Sequence, residues 1–166
     1  MVRKRYLLIG MLMVILGSAI VIIVFPSEEK RVKRLFSLLS ERVSKSPEEN
    51  AFTLLQKMRG TGSLFDEHCE LKTDYPSLSG SYTREEISTY VGSAHSHVSR
   101  LSLKFYDLQI AFPERDVAKV TLTARLTGRS TAGEQMDEIR ELECLLKKIE
   151  RRWLFSQIEV IEVLKK

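Results

Sequence analysis

The stretch Ala118-Lys119-Val120-Thr121-Leu122-Thr123-Ala124-Arg125-Leu126-Thr127 decides the fold. Its even positions are apolar and its odd positions polar, the period-two signature of a strand with one buried face and one wet face. Upstream, Leu101, Leu103 and Phe105 alternate in one phase, and Leu108, Ile110 and Phe112 resume in the other. A one-residue slip turns every side chain over, so this phase change predicts a bulge near Tyr106-Asp107. Pro113-Glu114-Arg115-Asp116 and the segment from Gly128 to Gly133 carry turn residues. Met136 to Ile149 and Trp153 to Leu164 form a last pair of strands, joined at Glu150-Arg151-Arg152. Long consecutive strands with short links predict an antiparallel sheet.

The preceding residues read mainly as helix. Val32, Leu35, Phe36, Leu39 and Val43 recur at helical spacing, which predicts an amphipathic helix from Ser27 to about Ser44. Ser46-Pro47-Glu48-Glu49 has the form of a capped helix start, with Ser46 as cap, Pro47 in the first turn and Glu49 closing a capping box. Ala51, Phe52, Leu55 and Met58 make its expected buried stripe, and Gly60 its stop. Ser63 to Thr73 turns strand-like, and Tyr75 to Gly80 reads as a loop. Thr83-Arg84-Glu85-Glu86 is a second capping box, opening a helix with Ile87, Tyr90, Val91, Ala94 and Val98 on one face. The sum is an α+β domain with helices covering one face of the sheet.

In front of this lies Arg3-Lys4-Arg5 and then an uncharged run from Tyr6 to Phe25. Twenty residues at about 1.5 Å rise match the ~30 Å hydrocarbon core of a bilayer. Thirteen of them are Leu, Ile, Val or Phe, each favouring insertion by roughly 0.3–0.6 kcal/mol. A removable signal has a shorter apolar region, about 7–15 residues, and a small-x-small cleavage site. Val24-Phe25-Pro26-Ser27-Glu28 lacks that pattern, and no Cys follows the run to make a lipoprotein. The expectation is a retained single-pass anchor. A short basic tail before the first span stays inside, against the pull of Lys30, Arg31, Lys33 and Arg34 behind it. That places the C-terminal domain outside, in the periplasm of a bacterial inner membrane. The resulting division is a basic tail (residues 1–5), an anchor (6–25), a juxtamembrane helix (26–45) and a folded domain (46–166).

The chain has 26 basic and 22 acidic residues. Setting aside Arg3, Lys4 and Arg5 leaves the remainder within one charge of neutral. That balance argues against a nucleic-acid binder, which needs a basic excess. The Lys30–Arg34 cluster suits either anionic headgroups or plain solvation. Cys69 and Cys144 could pair in an oxidising compartment or stay as two buried thiols; no CxxC or zinc spacing accompanies them. Phosphate-loop, GxSxG and HExxH motifs are absent from the sequence. No cofactor is implied.

The ending Lys147-Lys148-Ile149-Glu150-Arg151-Arg152-Trp153-Leu154-Phe155-Ser156-Gln157-Ile158 resembles the last hairpin of the nuclear transport factor 2-like superfamily, with its polar turn, Trp and apolar strand. Gly80-Ser81-Tyr82-Thr83-Arg84-Glu85-Glu86-Ile87 is similar to that family's Gly-x-x-x-x-Glu-Glu-Ile entry to its third helix. The resemblance covers roughly residues 30–166 and rests mostly on the order of elements. It implies a cone, a bent sheet wrapped around about three helices with a cavity between them. The superfamily, which includes SnoaL-like members, holds isomerases, dehydratases, cyclases, dimerisation modules and scaffold domains, so the fold does not choose a function.

Its enzymes commonly place an Asp/His or Tyr/Asp pair in the cavity, which directs attention to Asp107 and His95. Asp107, at the expected bulge, could act as a general base if buried. His95 lies at the edge of a buried helical stripe; His97, two residues on, points about 200° away, so the two cannot share a metal. His68 and Cys69 face opposite sides of a strand and cannot form a nucleophile pair. Tyr82, Tyr90, Tyr106, Trp153 and Phe155 are core or candidate walls of an apolar ligand pocket. Two expectations follow. The main one is a tethered, non-enzymatic domain that binds a protein partner or a second copy through its exposed sheet face, around Thr121, Thr123 and Arg125. The alternative is a small-molecule binder or isomerase- or cyclase-like enzyme that uses the cavity.

Overall fold

The structure, a computed structural model, describes residues 27–163, with side chains through Ile161. The expected basic tail and the anchor Tyr6–Phe25 lie outside these residues. Among the described residues no helix is long and apolar enough to cross a membrane. The chain divides into two compact units, Met1–Arg31 and Val32–Lys166. Of the first, the described part is the opening turn of a helix, where Glu28 pairs with Arg31 at 3.5 Å.

That helix, α1 (Glu28–Val43), carries Glu28 and Glu29 in its first turn and Arg42 in its last, the charge order that suits a helix dipole. From Val32 onward its stripe of Val32, Leu35, Phe36 and Leu39 is buried. Helix α1 ends against the first long strand, β3 (Val98–Glu114). Lys45 and Leu101 exchange backbone hydrogen bonds of 2.8 and 3.0 Å, and Ser44 Oγ accepts from the Leu103 amide at 3.0 Å.

Helix α2 (Ala51–Gly62) starts four residues later than Ser46-Pro47 predicts. Asn50 is the cap, its Oδ1 accepting from the Thr53 amide at 2.8 Å. Glu49 does not close a capping box; its carboxylate takes the Lys57 ammonium, which also donates to the Ser44 carbonyl at 2.9 Å. The expected stripe of α2 is also turned, since Phe52 and Leu55 are exposed while Thr61 and Gly62 are buried. The helix runs through Gly60 to Gly62, where it meets α3 (Arg84–His97). A Cβ on Gly62 would lie 2.6 Å from the Arg84 carbonyl oxygen, so only glycine permits this approach. Thr83 caps α3 with both halves of its capping box in place, as the sequence predicts.

The sheet has six strands in the order β2-β1-β6-β5-β4-β3. The others are β1 (Phe65–Lys72), β2 (Gly80–Thr83), β4 (Val117–Ser130), β5 (Gln135–Ile149) and β6 (Arg152–Val163). From β3 to β6 the pairing is the expected antiparallel meander. Two features depart from expectation. Gly80–Thr83, read as loop end and cap, forms the edge strand β2 on β1. And β1 pairs with β6 in parallel, so the sheet is not wholly antiparallel. The bulge is where the phase change puts it, with register lost between Tyr106 and Gln109 and Asp107 at φ 55°. Glu150 and Arg151, at φ 49° and 68°, make the tight β5–β6 turn, whose twist matches that of the strands it joins.

The core lies between α1 and the inner face of the bent sheet. Ala118, Val120, Leu122 and Ala124 of β4 are buried there, alongside Cys144 and Leu146 of β5. Phe36 stands edge-on to Phe105 and Phe155, with centroids 5.3 and 5.0 Å apart, and Phe65 packs on Phe155 at 5.3 Å. Each such pair is worth about 0.5–1.5 kcal/mol beyond the area it buries.

Candidate functional site

Beside this aromatic core the inner face stays open. Cys69 and Leu71 alternate inward on β1, Tyr82 sits opposite Cys69 on β2, and Ile158 sits beside Leu71 on β6. Helix α3 presents Ile87 and Tyr90 to the same space, one turn apart. The β1–β2 loop adds Leu78, and Phe65 closes the inner end. Together these eight side chains enclose a cavity of about 250 Å³. That is room for about eight water-sized groups at ~30 Å³ each.

The sequence holds each wall by a separate device. Arg84 Nε donates to the Phe65 carbonyl at 2.8 Å, tying the start of α3 to β1. Tyr82 Oη donates to the Leu78 carbonyl at 2.8 Å, which fixes the loop. The Tyr82 and Tyr90 rings meet edge to face, 5.5 Å apart. Leu78 and Tyr90, half or more exposed, form an apolar rim.

The cavity's electrostatics suit an uncharged guest. Burial pushes the Cys69 thiol up to about 12, with the Asp66 and Glu70 charges adding to it. Cys144 is likewise pushed up to about 12 by burial, then by Cys69 and Glu143. Neither thiol is a thiolate near neutral pH, so neither is an activated nucleophile. They are free and sit on strands flanking β6, two interstrand steps or about 9–10 Å apart. A disulfide needs Cα atoms within about 7 Å.

The other sequence candidates are dispersed. Asp107 is exposed at the bulge rather than buried, so the desolvation that would make it a base is missing. His95 is 3% exposed, and its Nε2 donates to the Val43 carbonyl at 2.7 Å. Its own carbonyl accepts from Lys45 Nζ at 2.6 Å, so His95 ties α3 to the end of α1 and does not line the pocket. His97 is exposed against the Ser93 carbonyl. Of the five aromatic candidates, Tyr82 and Tyr90 come together at the cavity. Phe155 is core beneath it, Trp153 packs on Phe112 at 5.8 Å, and Tyr106 stands on the outer face opposite Thr123. Phe65, Leu71, Leu78, Ile87 and Ile158 escape a search for chemistry because each reads locally as ordinary core. Among the described residues no group of three His, Cys, Asp or Glu is placed to hold a metal.

No family model matches the chain, and no curated protein matches it. Solved structures do. A candidate aromatic ring hydroxylase from Novosphingobium aromaticivorans superposes with a TM-score of 0.69 at 11% identity, covering 86% of this chain and 93% of that one. The hexachlorocyclohexane dehydrochlorinase LinA-type3 from Novosphingobium barchaimii gives 0.66 at 12% identity, covering 84% and 88%. A candidate scytalone dehydratase from Novosphingobium aromaticivorans gives 0.63 at 18% identity, covering 80% and 82%. At such identities the likeness concerns the fold, which is the nuclear transport factor 2-like α+β fold.

Proposed function

We propose that this domain binds an uncharged apolar small molecule in the cavity between β1, β2, β6 and α3. The observation that carries the reading is a preformed cavity of about 250 Å³ walled by carbon and rimmed by exposed Leu78 and Tyr90. A site so lined, with few polar groups to orient a guest, favours retention of a ring or short chain. The walls offer no carboxylate or imidazole. The neighbours named for dehydratase and dehydrochlorinase activities support a small-molecule role over assembly through the sheet. Within the same proposal, the run Tyr6–Phe25 tethers the domain to a bacterial inner membrane, on the periplasmic side.

The test is fluorescence titration of the full chain in nonionic detergent with N-phenyl-1-naphthylamine, a neutral apolar probe. Ile87→Trp fills the cavity, and Leu78→Asp wets its rim. Saturable binding that is lost in Ile87→Trp and weakened in Leu78→Asp supports the reading. Equal binding in all three proteins overturns it.

Association of copies through the outer sheet face is a second reading, favoured by the half-buried Ile139 and Leu145, two apolar side chains among its charges. Thr123→Lys then lowers the sedimentation coefficient without unfolding the chain. An unchanged coefficient rejects the interface.

A further inference from the structure

The outer face of the β3–β4 hairpin carries an arrangement that the cavity does not use. Arg100 on β3 and Arg129 on β4 are paired residues, directly opposite each other and therefore on one face. Both are exposed, and neither guanidinium has a hydrogen bond or ion pair among the described residues. Lys104 and Arg125 face each other further along the same two strands. Like charges set directly opposite destabilise a sheet, so two such pairs on one hairpin act against the fold unless something neutralises them. Asp137, a carboxylate on the neighbouring strand, bonds Arg125 through two hydrogen bonds of 2.9 and 2.7 Å, whereas Arg100 and Arg129 have no ion pair among the described residues.

The pair stands over an open groove of about 650 Å³. Thr127 and Gln135 add a hydroxyl and an amide to its walls, beside the Asp137 carboxylate. Two guanidinium forks, each able to bond two oxygens, complement a tetrahedral oxyanion better than a planar carboxylate.

We propose that Arg100 and Arg129 form a binding site for a phosphate group, free or carried on a lipid headgroup. The site is separate from the apolar cavity and stands or falls independently of it. Its anion replaces like-charge repulsion with charge-assisted hydrogen bonds, so binding stabilises the fold by mass action.

The experiment measures thermal unfolding of the full chain in nonionic detergent. One arm adds inorganic phosphate against sodium chloride at matched ionic strength; the other adds anionic phospholipid to the micelles against zwitterionic phospholipid. The proteins are wild type, Arg100→Gln, Arg129→Gln and the double variant. Each single variant should bind phosphate about tenfold or more weakly, the worth of a hydrogen bond to a charged group. Without ligand the variants should melt no lower than wild type, because repulsion is relieved. A phosphate response lost in the double variant supports a free-phosphate site; a response confined to anionic lipid and lost in the double variant supports a headgroup site. The proposal is overturned if neither arm stabilises wild type, if chloride does as much as phosphate, or if the double variant keeps its response.

Discussion

Gly62→Ala separates two opposed expectations. By helix propensity alone, alanine at the end of α2 stabilises by up to ~1 kcal/mol over glycine. The structure reverses the sign. The new Cβ would stand 2.4 Å from Ser88 Oγ and 2.6 Å from the Arg84 carbonyl oxygen. Ser88 Oγ cannot simply swing away, because it donates to that same carbonyl at 2.9 Å, and the Arg84 backbone cannot move without shifting the capped start of α3. The helices must part by somewhat under 1 Å to restore ordinary contact, and overpacking of this kind costs about 1–3 kcal/mol. Even against the full propensity gain, the upper end of that cost leaves a net loss of about 2 kcal/mol. For a chain of 166 residues that lowers the melting temperature by roughly 4–8 °C. Gly60→Ala is the control. Its Cβ would first meet the Arg42 side chain, at 3.1 Å, whose guanidinium bonds the Gly60 carbonyl and can give by a few tenths of an ångström without moving a helix, so its effect should be well below that of Gly62→Ala. Thermal melts of the three proteins by circular dichroism decide the matter. If Gly62→Ala melts at or above wild type, the close helix approach has been misread, and with it the placement of α3 over the cavity.

Phe36→Ala removes a ring that touches Phe105 and Phe155 edge-on; it should cost about 3–5 kcal/mol in urea unfolding, with the m-value unchanged. Thr83→Ala deletes the α3 cap and should cost about 1 kcal/mol by the same assay, a loss that serine restores. The thiols give a signed pH dependence. Their pKa rises from 9.0 when unfolded to about 12 when folded, so above pH 9 the unfolded chain releases protons that the native one keeps. The stability due to the buried thiols is complete below pH 9 and declines toward pH 12. Cys69→Ala with Cys144→Ala should flatten that decline, and an aromatic disulfide reagent at pH 8 should leave both native thiols unmodified.

The sheet from β3 to β6 was legible because one face is wet along its whole length, so alternation marks each strand and its slip marks the bulge at Asp107. The Thr83 cap was legible because a capping box is complete within four residues. The start of α2 was not, since Ser46 and Asn50 are both good caps and Glu49 is claimed by Lys57 from the following helix. Strand β2 and the parallel union of β1 with β6 had no local sign. Four residues, Gly80–Thr83, are too few for a period, and Leu71 finds Ile158 across more than half the chain. The cavity was half legible for the same reason. Tyr82 and Tyr90 stand out as aromatic residues near one helix start, while their partners come from β1, β6 and a loop and look like core. Asp107 and His95 drew attention by residue type, yet one is in solvent and the other is bonded to Val43.

The place of β6 in the sheet sets a schedule for synthesis. It is the last strand to be made, yet it lies third across the six, between β1 and β5. While the chain emerges from the ribosome at roughly 5–20 residues per second, the β1–β2 hairpin and the β3–β5 meander wait as two fragments, each with a bare hydrogen-bonding edge. Residues 152–163 join them in a single late step. Until then those edges are open to foreign strands, and a nascent polypeptide stalled before Arg152 is the form of this protein most in need of a chaperone.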